Sequence, residues 1–304
     1  MRSKLGLRPL SPPMMLPYQQ MGKDMMSIYD QRQCLLGEGP IWHPERQQLF
    51  WFDILNKKLL SRKGHEELSW QFPEHVSAAG WISEHALVIA SESKLFLFDL
   101  ETGAEQMLCP LEADNPVTRS NDGRADPYGG FWIGTMGKRA ETGAGSIYRY
   151  FRGELRQLFS GLTITNSICF SPDGETAYFT DTATGIIQKT ALDPYGWPVG
   201  EPTVFVDLRN EELNPDGSVV DADGYLWNAQ WGAHRVARYA PDGSFIEAID
   251  FPAEQISCPA FGGAELKTLF VTTATEGGLT GDSDGKTFAA ETWTRGQAEH
   301  RVRL

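Results

Sequence analysis

At four places in the chain, oxygen-bearing side chains stand just ahead of a segment that reads as a strand. They are Glu38 in L-G-E-G-P-I-W, Asn121 and Asp122 in R-S-N-D-G-R, Asn166 in T-I-T-N-S-I-C-F, and Asp216 in N-P-D-G-S-V-V. Carboxylate and amide oxygens without histidine or cysteine are hard donors, which suit Ca2+, Mg2+ or Mn2+ better than a thiolate-seeking metal. The D-x-D-x-D-G calcium loop is missing, so an ion site would have to be assembled from distant parts of the chain. Three protein donors would leave positions open for water and substrate, as a catalytic ion needs.

Plainer readings exist for the same residue types. Asp-Gly is a common hairpin turn, and P-D-G recurs at Asp173, Asp216 and Asp242. Asp173 and Asp242 each join two antiparallel strands and read as turn residues, whereas Asp216 precedes its strand pair. Asn166 has the alternative of a left-handed or capping residue, and Glu38 that of a solvated loop acid. Gly37 and Gly39-Pro40 around Glu38 point instead to close backbone approach.

These residues can meet only if a radial repeat brings them to one axis. Short apolar strands alternate with Gly, Pro, Asp and Asn turns, and helical periodicity is nearly absent. The anchors Phe50, Leu87, Phe131, Tyr178, Leu226 and Phe270 lie 37 to 48 residues apart, which is about the length of one four-stranded propeller blade. The expected fold is therefore all-β, a six-bladed β-propeller of four-stranded antiparallel blades. Residues 28–304 form its single domain, after a flexible tail over 1–27. The late segment F-A-A-E-T-W-T is expected to pair with an early strand near 28–34 and so close the ring. The other two blade entries, Ser77-Ala78-Ala79-Gly80 and Cys258-Pro259-Ala260, carry small residues. The result would be a pocket with ligands on one side and room on the other.

Composition narrows the partners. A net charge of −13 with no basic stripe argues against nucleic acid. No apolar run reaches membrane-spanning length. Pro9, Pro12, Pro13 and Pro17 interrupt any signal-peptide core. The expectation is a cytoplasmic protein, a monomer or weak homo-oligomer. Its four widely spaced cysteines (Cys34, Cys109, Cys169, Cys258) read as buried small hydrophobes and not as a disulfide framework.

In these motifs the chain resembles the SMP-30/gluconolactonase/regucalcin-like family of six-bladed propellers. The resemblance runs through L-G-E-G-P-I-W, R-S-N-D-G-R-A-D-P-Y-G-G-F-W-I-G-T-M, G-S-I-Y-R-Y, T-I-T-N-S-I-C-F-S-P-D-G, N-P-D-G-S-V-V-D-A-D-G-Y-L-W, C-P-A-F-G-G and L-F-V-T-T-A, in that order. It implies one divalent ion held by Glu38, Asn166 and Asp216, with Ca2+ placed ahead of Zn2+, Mn2+ or Mg2+. It also implies substrate contacts from Arg119 and Asn121, with Asp122 on the metal side of the same pocket. The implied reaction is hydrolysis of a sugar lactone, an aldonolactone of the gluconolactone or arabinonolactone type, to the aldonic acid.

Asp216 is the candidate general base for the attacking water, and Arg119 can offer a forked pair of donors to sugar oxygens. Where vertebrate-type members carry an acid shortly after G-T-M, this chain has Lys138 and Arg139, with Glu141 a little later. A base there would favour a substrate with an anionic substituent, and the alternative is a solvated loop. His75 lies at the second blade entry, where it either lines the pocket or serves as a loop hydrogen-bonding histidine. Two rival functions use the same face: a calcium-binding regulatory propeller without catalysis, and a propeller esterase or phosphotriesterase. No cysteine lies in a recognisable catalytic signature.

Overall fold

The computed structural model describes residues 26–304, and all of its regular structure is β-strand apart from two single-turn 3-10 segments. No helix among the described residues is long and apolar enough to cross a membrane. Most of the expected tail lies outside the described residues. Its last two positions, Met26 and Ser27, already belong to a paired strand, Met26–Asp30.

The strands form consecutive antiparallel meanders of four. The first runs Gly37–His43, Gln48–Asp53, Lys58–Lys63 and Glu66–Gln71, and three more four-stranded sheets follow up to Asp207. The remaining eight strands make one sheet, not two separate ones. It joins the meander Asn214–Val220 to Phe245–Asp250 with a second meander that starts at Gln255–Gly262. The join is the single pair Trp231–Gln255. The short link after Asp250 keeps Gln255 beside the end of the preceding meander, where one ladder pair forms. Thr287–Glu291 pairs with Met26–Asp30 at the outer edge, with Ile28 opposite Phe288, so the two chain ends share a sheet as expected.

Each meander opens with what we call its entry strand: Gly37–His43, Val76–Ser83, Thr118–Ala125, Thr165–Phe170, Asn214–Val220 and Gln255–Gly262. Each entry strand contacts the next, and the last contacts the first, so the six enclose one axis. Entry and second strands are buried on both faces, which explains their nearly continuous apolar and small-residue runs. Fourth strands such as Glu66–Gln71 alternate exposed and half-buried residues, as a strand with one wet face does.

The core lies between neighbouring sheets. Phe50 and Phe52 of the first meander pack with Leu87, Ile89 and Phe96 of the second, and Trp132 of the third packs with Ile168, Phe170 and Phe179 of the fourth. Trp132 and Trp227 occupy matching places in their second strands, Trp51 lies two places along in its own, and all three are fully buried. Truncating any one to alanine removes about 3–5 kcal/mol.

Turn chemistry fixes the hairpins. Asp126 accepts from the Tyr128 and Gly130 amides and from Arg149 Nε. Asp221 does the same with the Asp223 and Tyr225 amides and Arg238. Asp173 accepts from Ser171 Oγ and the Glu175 amide, and Asp242 from Ser244. Both P-D-G aspartates set aside above are thus turn residues. Cys34, Cys169 and Cys258 are buried free thiols, and Cys109 is half-buried.

Candidate active site

The site residues lie inside the entry strands, not in the loops ahead of them. Glu38 is the second residue of its strand, Asn166 the second, Asp216 the third, and Asn121 and Asp122 are central in theirs. A regular strand would turn successive side chains to opposite faces. Every entry strand, however, breaks register with its neighbour at this level: between Glu38 and Ile41, Val76 and Ala78, Ser120 and Gly123, Asn166 and Cys169, Pro215 and Ser218, and Ile256 and Cys258. A bulge adds a residue and re-aims the side chains beside it. Here the bulges allow polar residues in buried strands to meet at one level of the axis.

Local backbone accounts for the glycine after Glu38. Gly39 has φ 53°, and a Cβ there would lie 2.2 Å from the Ser77 carbonyl oxygen of the next entry strand. Gly39→Ala is expected to cost at least about 1 kcal/mol and lower the melting temperature by about 2 °C or more, measured by calorimetry. Ser167 adopts φ 60° without being glycine, a strained conformation held by its surroundings. Its hydroxyl donates to the Asp216 carbonyl and accepts from Ser218 Oγ at 3.0 Å. Ser77 Oγ likewise bonds Ser120 Oγ at 2.8 Å, and Ser257 Oγ bonds the Gly37 carbonyl. Serines therefore tie adjacent entry strands together at the depth of the site.

The side chains form one buried network. Arg119 Nη1 donates to the Ser120 carbonyl (2.9 Å) and to Asn121 Oδ1 (2.7 Å). Asn121 Nδ2 donates to the Thr165 carbonyl (2.8 Å) and to Asn166 Oδ1 (3.0 Å). Asn166 Nδ2 donates to Thr182 Oγ1. Asp122 is clamped by the Gly123 and Ile168 amides at 2.9 and 2.7 Å. Glu38 Oε2 accepts from the Gly39 amide at 2.9 Å. Both amide protons of Asn121 are thus engaged within the protein, which makes it a bridge from Arg119 to Asn166. Arg119 keeps Nε and Nη2 without a protein partner among the described residues.

Three carboxylates crowd this space. Burial, and then the charge of Asp122, push Glu38 up to about 8. Asp216 is raised well above the usual carboxylate range by burial and by the charges of Glu38 and Asp122. Burial lifts Asp122 to about 6 against the pull of Arg124. Arg119 is itself lowered by burial while sitting among Glu276, Glu38, Glu92 and Asp216.

Among the described residues, no three His, Cys, Asp or Glu side chains are grouped to hold a metal by themselves. A set built on Glu38 and Asp216 therefore needs the amide oxygen of Asn166. The chemistry of the donors fits a hard divalent ion: buried, mutually repelling carboxylates with an amide oxygen beside them.

Lys138 Nζ is paired with Glu92 Oε2, and Glu92 Oε1 abuts His75 Nδ1. His75, lowered by burial, is thereby fixed near Arg119. Glu141 accepts from the Arg139 amide in an exposed turn. Of two further neighbours of the site, the first lies outside the motifs quoted above and the second was read there only as a small residue at a blade entry. Asn228, a buried amide within the strand L-W-N-A-Q-W, donates to the Asp216 carbonyl at 3.1 Å. The Cys258 thiol, raised by burial and the nearby carboxylates, lies under Gly217, where a Cβ would come within 2.3 Å of its sulfur.

The family described as SMP-30/Gluconolactonase/LRE-like region matches residues 36–275, and the chain belongs to that family. An L-arabinolactonase of Azospirillum brasilense is 36% identical over 280 residues, which cover 88% of this chain and 91% of that protein. A 6-deoxy-6-sulfogluconolactonase of Pseudomonas putida is 32% identical over 249 residues, covering 80% and 84%. Among solved structures, a calcium-binding protein, regucalcin, from Agrobacterium tumefaciens superposes with a TM-score of 0.88 at 42% identity, covering 91% of this chain and 97% of that one.

Proposed function

We propose that the chain, folded as one domain over 28–304, is a six-bladed propeller that hydrolyses sugar lactones with the help of one divalent ion. The two halves of the eight-stranded sheet count as separate blades in this reading, since one residue pair joins them. Glu38, Asn166 and Asp216 would hold the ion, with Ca2+ first among the candidates. The observation that carries the proposal is the convergence of Glu38, Asp122 and Asp216, buried and repelling one another, beside a half-engaged arginine. Lactonase names among relatives at 32% and 36% identity support the reaction class, and the calcium-binding structural neighbour supports the ion.

When bound, a hard divalent ion supplies Lewis-acid polarisation of an ester carbonyl and favourable charge for the oxyanion that follows. The protein's own groups do the rest. Asp216, whose proton affinity is raised by burial and like charge, is suited to take the proton of the attacking water at its carboxylate. Asp122 is held by two amides, so it offers a fixed acceptor edge on the metal side of the pocket. Arg119 Nε and Nη2 point a planar fork of donors at sugar oxygens, and Asn121 holds that fork in place. The substrate is then a small polyhydroxylated lactone, an aldonolactone yielding its aldonic acid.

A pH-indicator assay tests this reading. Wild-type protein should acidify solutions of an aldonolactone and leave paraoxon untouched. Arg119→Met should raise KM about tenfold or more with a smaller change in kcat, since it removes charge-assisted hydrogen bonds to the ligand. Paraoxon hydrolysis in place of lactone hydrolysis, or an unchanged KM, would remove the assignment.

A further inference from the structure

The C-terminal segment 293–303 crosses the ring at the end of the entry strands opposite Glu38, Asn166 and Asp216. The Arg295 carbonyl accepts from the Ala222 amide, and the Gly296 amide donates to the Leu266 carbonyl at 2.8 Å. Gln297 Nε2 reaches the carbonyls that end two entry strands, Phe170 and Val220, both at 3.0 Å. Further on, the Glu299 carbonyl accepts from Trp81 Nε1, and the Val302 and Arg303 amides bond Trp81 and Gly129. A Cβ on Gly296 would fall 2.1 Å from Phe261 Cβ, so the strap lies flat against the sixth meander. It closes this end of the axis. A small cavity of about 30 Å3 remains behind it, lined by Arg124, Cys169, Phe261 and Glu299 among others.

Arg124 stands in the middle of this space. It follows Asp122 by two residues on the same entry strand, and its guanidinium pairs through Nη1 with Glu299 Oε1 of the strap. Both side chains are largely buried, and Arg124 Nε has no hydrogen-bond partner among the described residues. The charged, titratable and thiol groups around Arg124 are Glu299, Asp122, Cys169, Cys258 and His300. A guanidinium does not lose its charge in a protein, so only a counter-anion can offset it.

We propose that Glu299 is a positioning residue for the cation site: carried in by the C-terminal strap, it offsets Arg124, whose charge would otherwise fall on Asp122 alone, two residues away on the same entry strand and beside the carboxylates that bind the ion. The inference rests on the divalent-ion reading given above. Without Glu299 the fixed charge of Arg124 would draw on Asp122, the carboxylate whose charge acts on both Glu38 and Asp216, and so would oppose a second cation there. With it, the pair is locally neutral and the carboxylates keep their attraction for the ion.

Calorimetric titration of CaCl2 into the metal-stripped full chain tests this, with thermal melts to establish that each variant is folded. Glu299→Gln should weaken Ca2+ binding about tenfold, because a full charge near the site is released from its partner. Arg124→Met should bind as tightly as wild type or more tightly. The double variant should return to within about threefold of wild type, since replacing a buried pair by neutral groups is often tolerated. Wild-type affinity in a folded Glu299→Gln protein, or equal weakening by Glu299→Gln and Arg124→Met, would overturn the proposal, the latter because packing damage would explain both. If Glu299→Gln does not fold, Arg124→Met decides alone: weaker binding overturns the proposal, and equal or tighter binding upholds it. A wild-type chain that takes up none of Ca2+, Mn2+, Zn2+ or Mg2+ overturns the ion reading and this inference with it.

Discussion

Replacing Asp216 by alanine is expected to leave a folded protein whose lactone hydrolysis is lost by about three orders of magnitude or more, the scale on which a proton-transfer group and an ion ligand act together. The fold should survive because the bonds from Ser167 and Asn228 go to the main-chain carbonyl of residue 216, not to its carboxylate. Removing the side chain also relieves repulsion with Glu38 and Asp122. The metal-free variant should therefore melt at or above the temperature of metal-free wild type. A residue of purely structural value would behave the opposite way. Glu38→Gln should follow the same pattern, since an amide oxygen can still accept from the Gly39 amide. Activity, ion titration and melting curves on both variants check this. Near wild-type turnover in a folded Asp216→Ala protein would end the assignment.

The second large effect concerns pH in the absence of an ion. Glu38 carries a folded-state pKa raised from 4.5 to about 8, and Asp216 is raised in the same direction. For an acid whose folded value is raised, the folded state binds the proton more tightly than the unfolded chain does. Its stabilisation is complete below the unfolded pKa and is lost as pH rises through the folded one. Metal-free protein should thus lose stability progressively from about pH 4.5 to about pH 8, by an amount on the order of a few kcal/mol. An added divalent ion favours the ionised carboxylates, so it should restore more stability at pH 8 than at pH 5. Melting temperatures at several pH values, with chelator and with Ca2+, give the readout. A flat profile in chelator would show that these carboxylates are not held under mutual repulsion.

The sequence carried the residue types well and their exact setting poorly. Glu38, Asn121, Asp122, Asn166 and Asp216 stood out as oxygen donors just ahead of strand-like segments, and the structure sets them inside the buried entry strands. Their position inside the strands depends on bulges, which break the period-2 pattern that strand reading relies on. Gly39, Gly123 and Gly217 are visible traces of those bulges in their motifs.

Other features depended on contacts between distant segments. Lys138 looked like an unbalanced base until Glu92, from the preceding sheet, was seen beside it. The strap over 293–303 has no strand periodicity, so nothing in the sequence announced that Glu299 would reach Arg124 across 175 positions. Asn121 was legible as a site residue, but its engagement with both Arg119 and Asn166 follows from geometry alone.

The most direct test of the central claim is turnover by metal-stripped protein on a panel of aldonolactones, with Ca2+, Mn2+, Zn2+ and Mg2+ added back one at a time. Hydrolysis should be near background in chelator and should return with at least one of these ions. Full turnover in chelator, or no turnover of any lactone with any ion, would contradict the account.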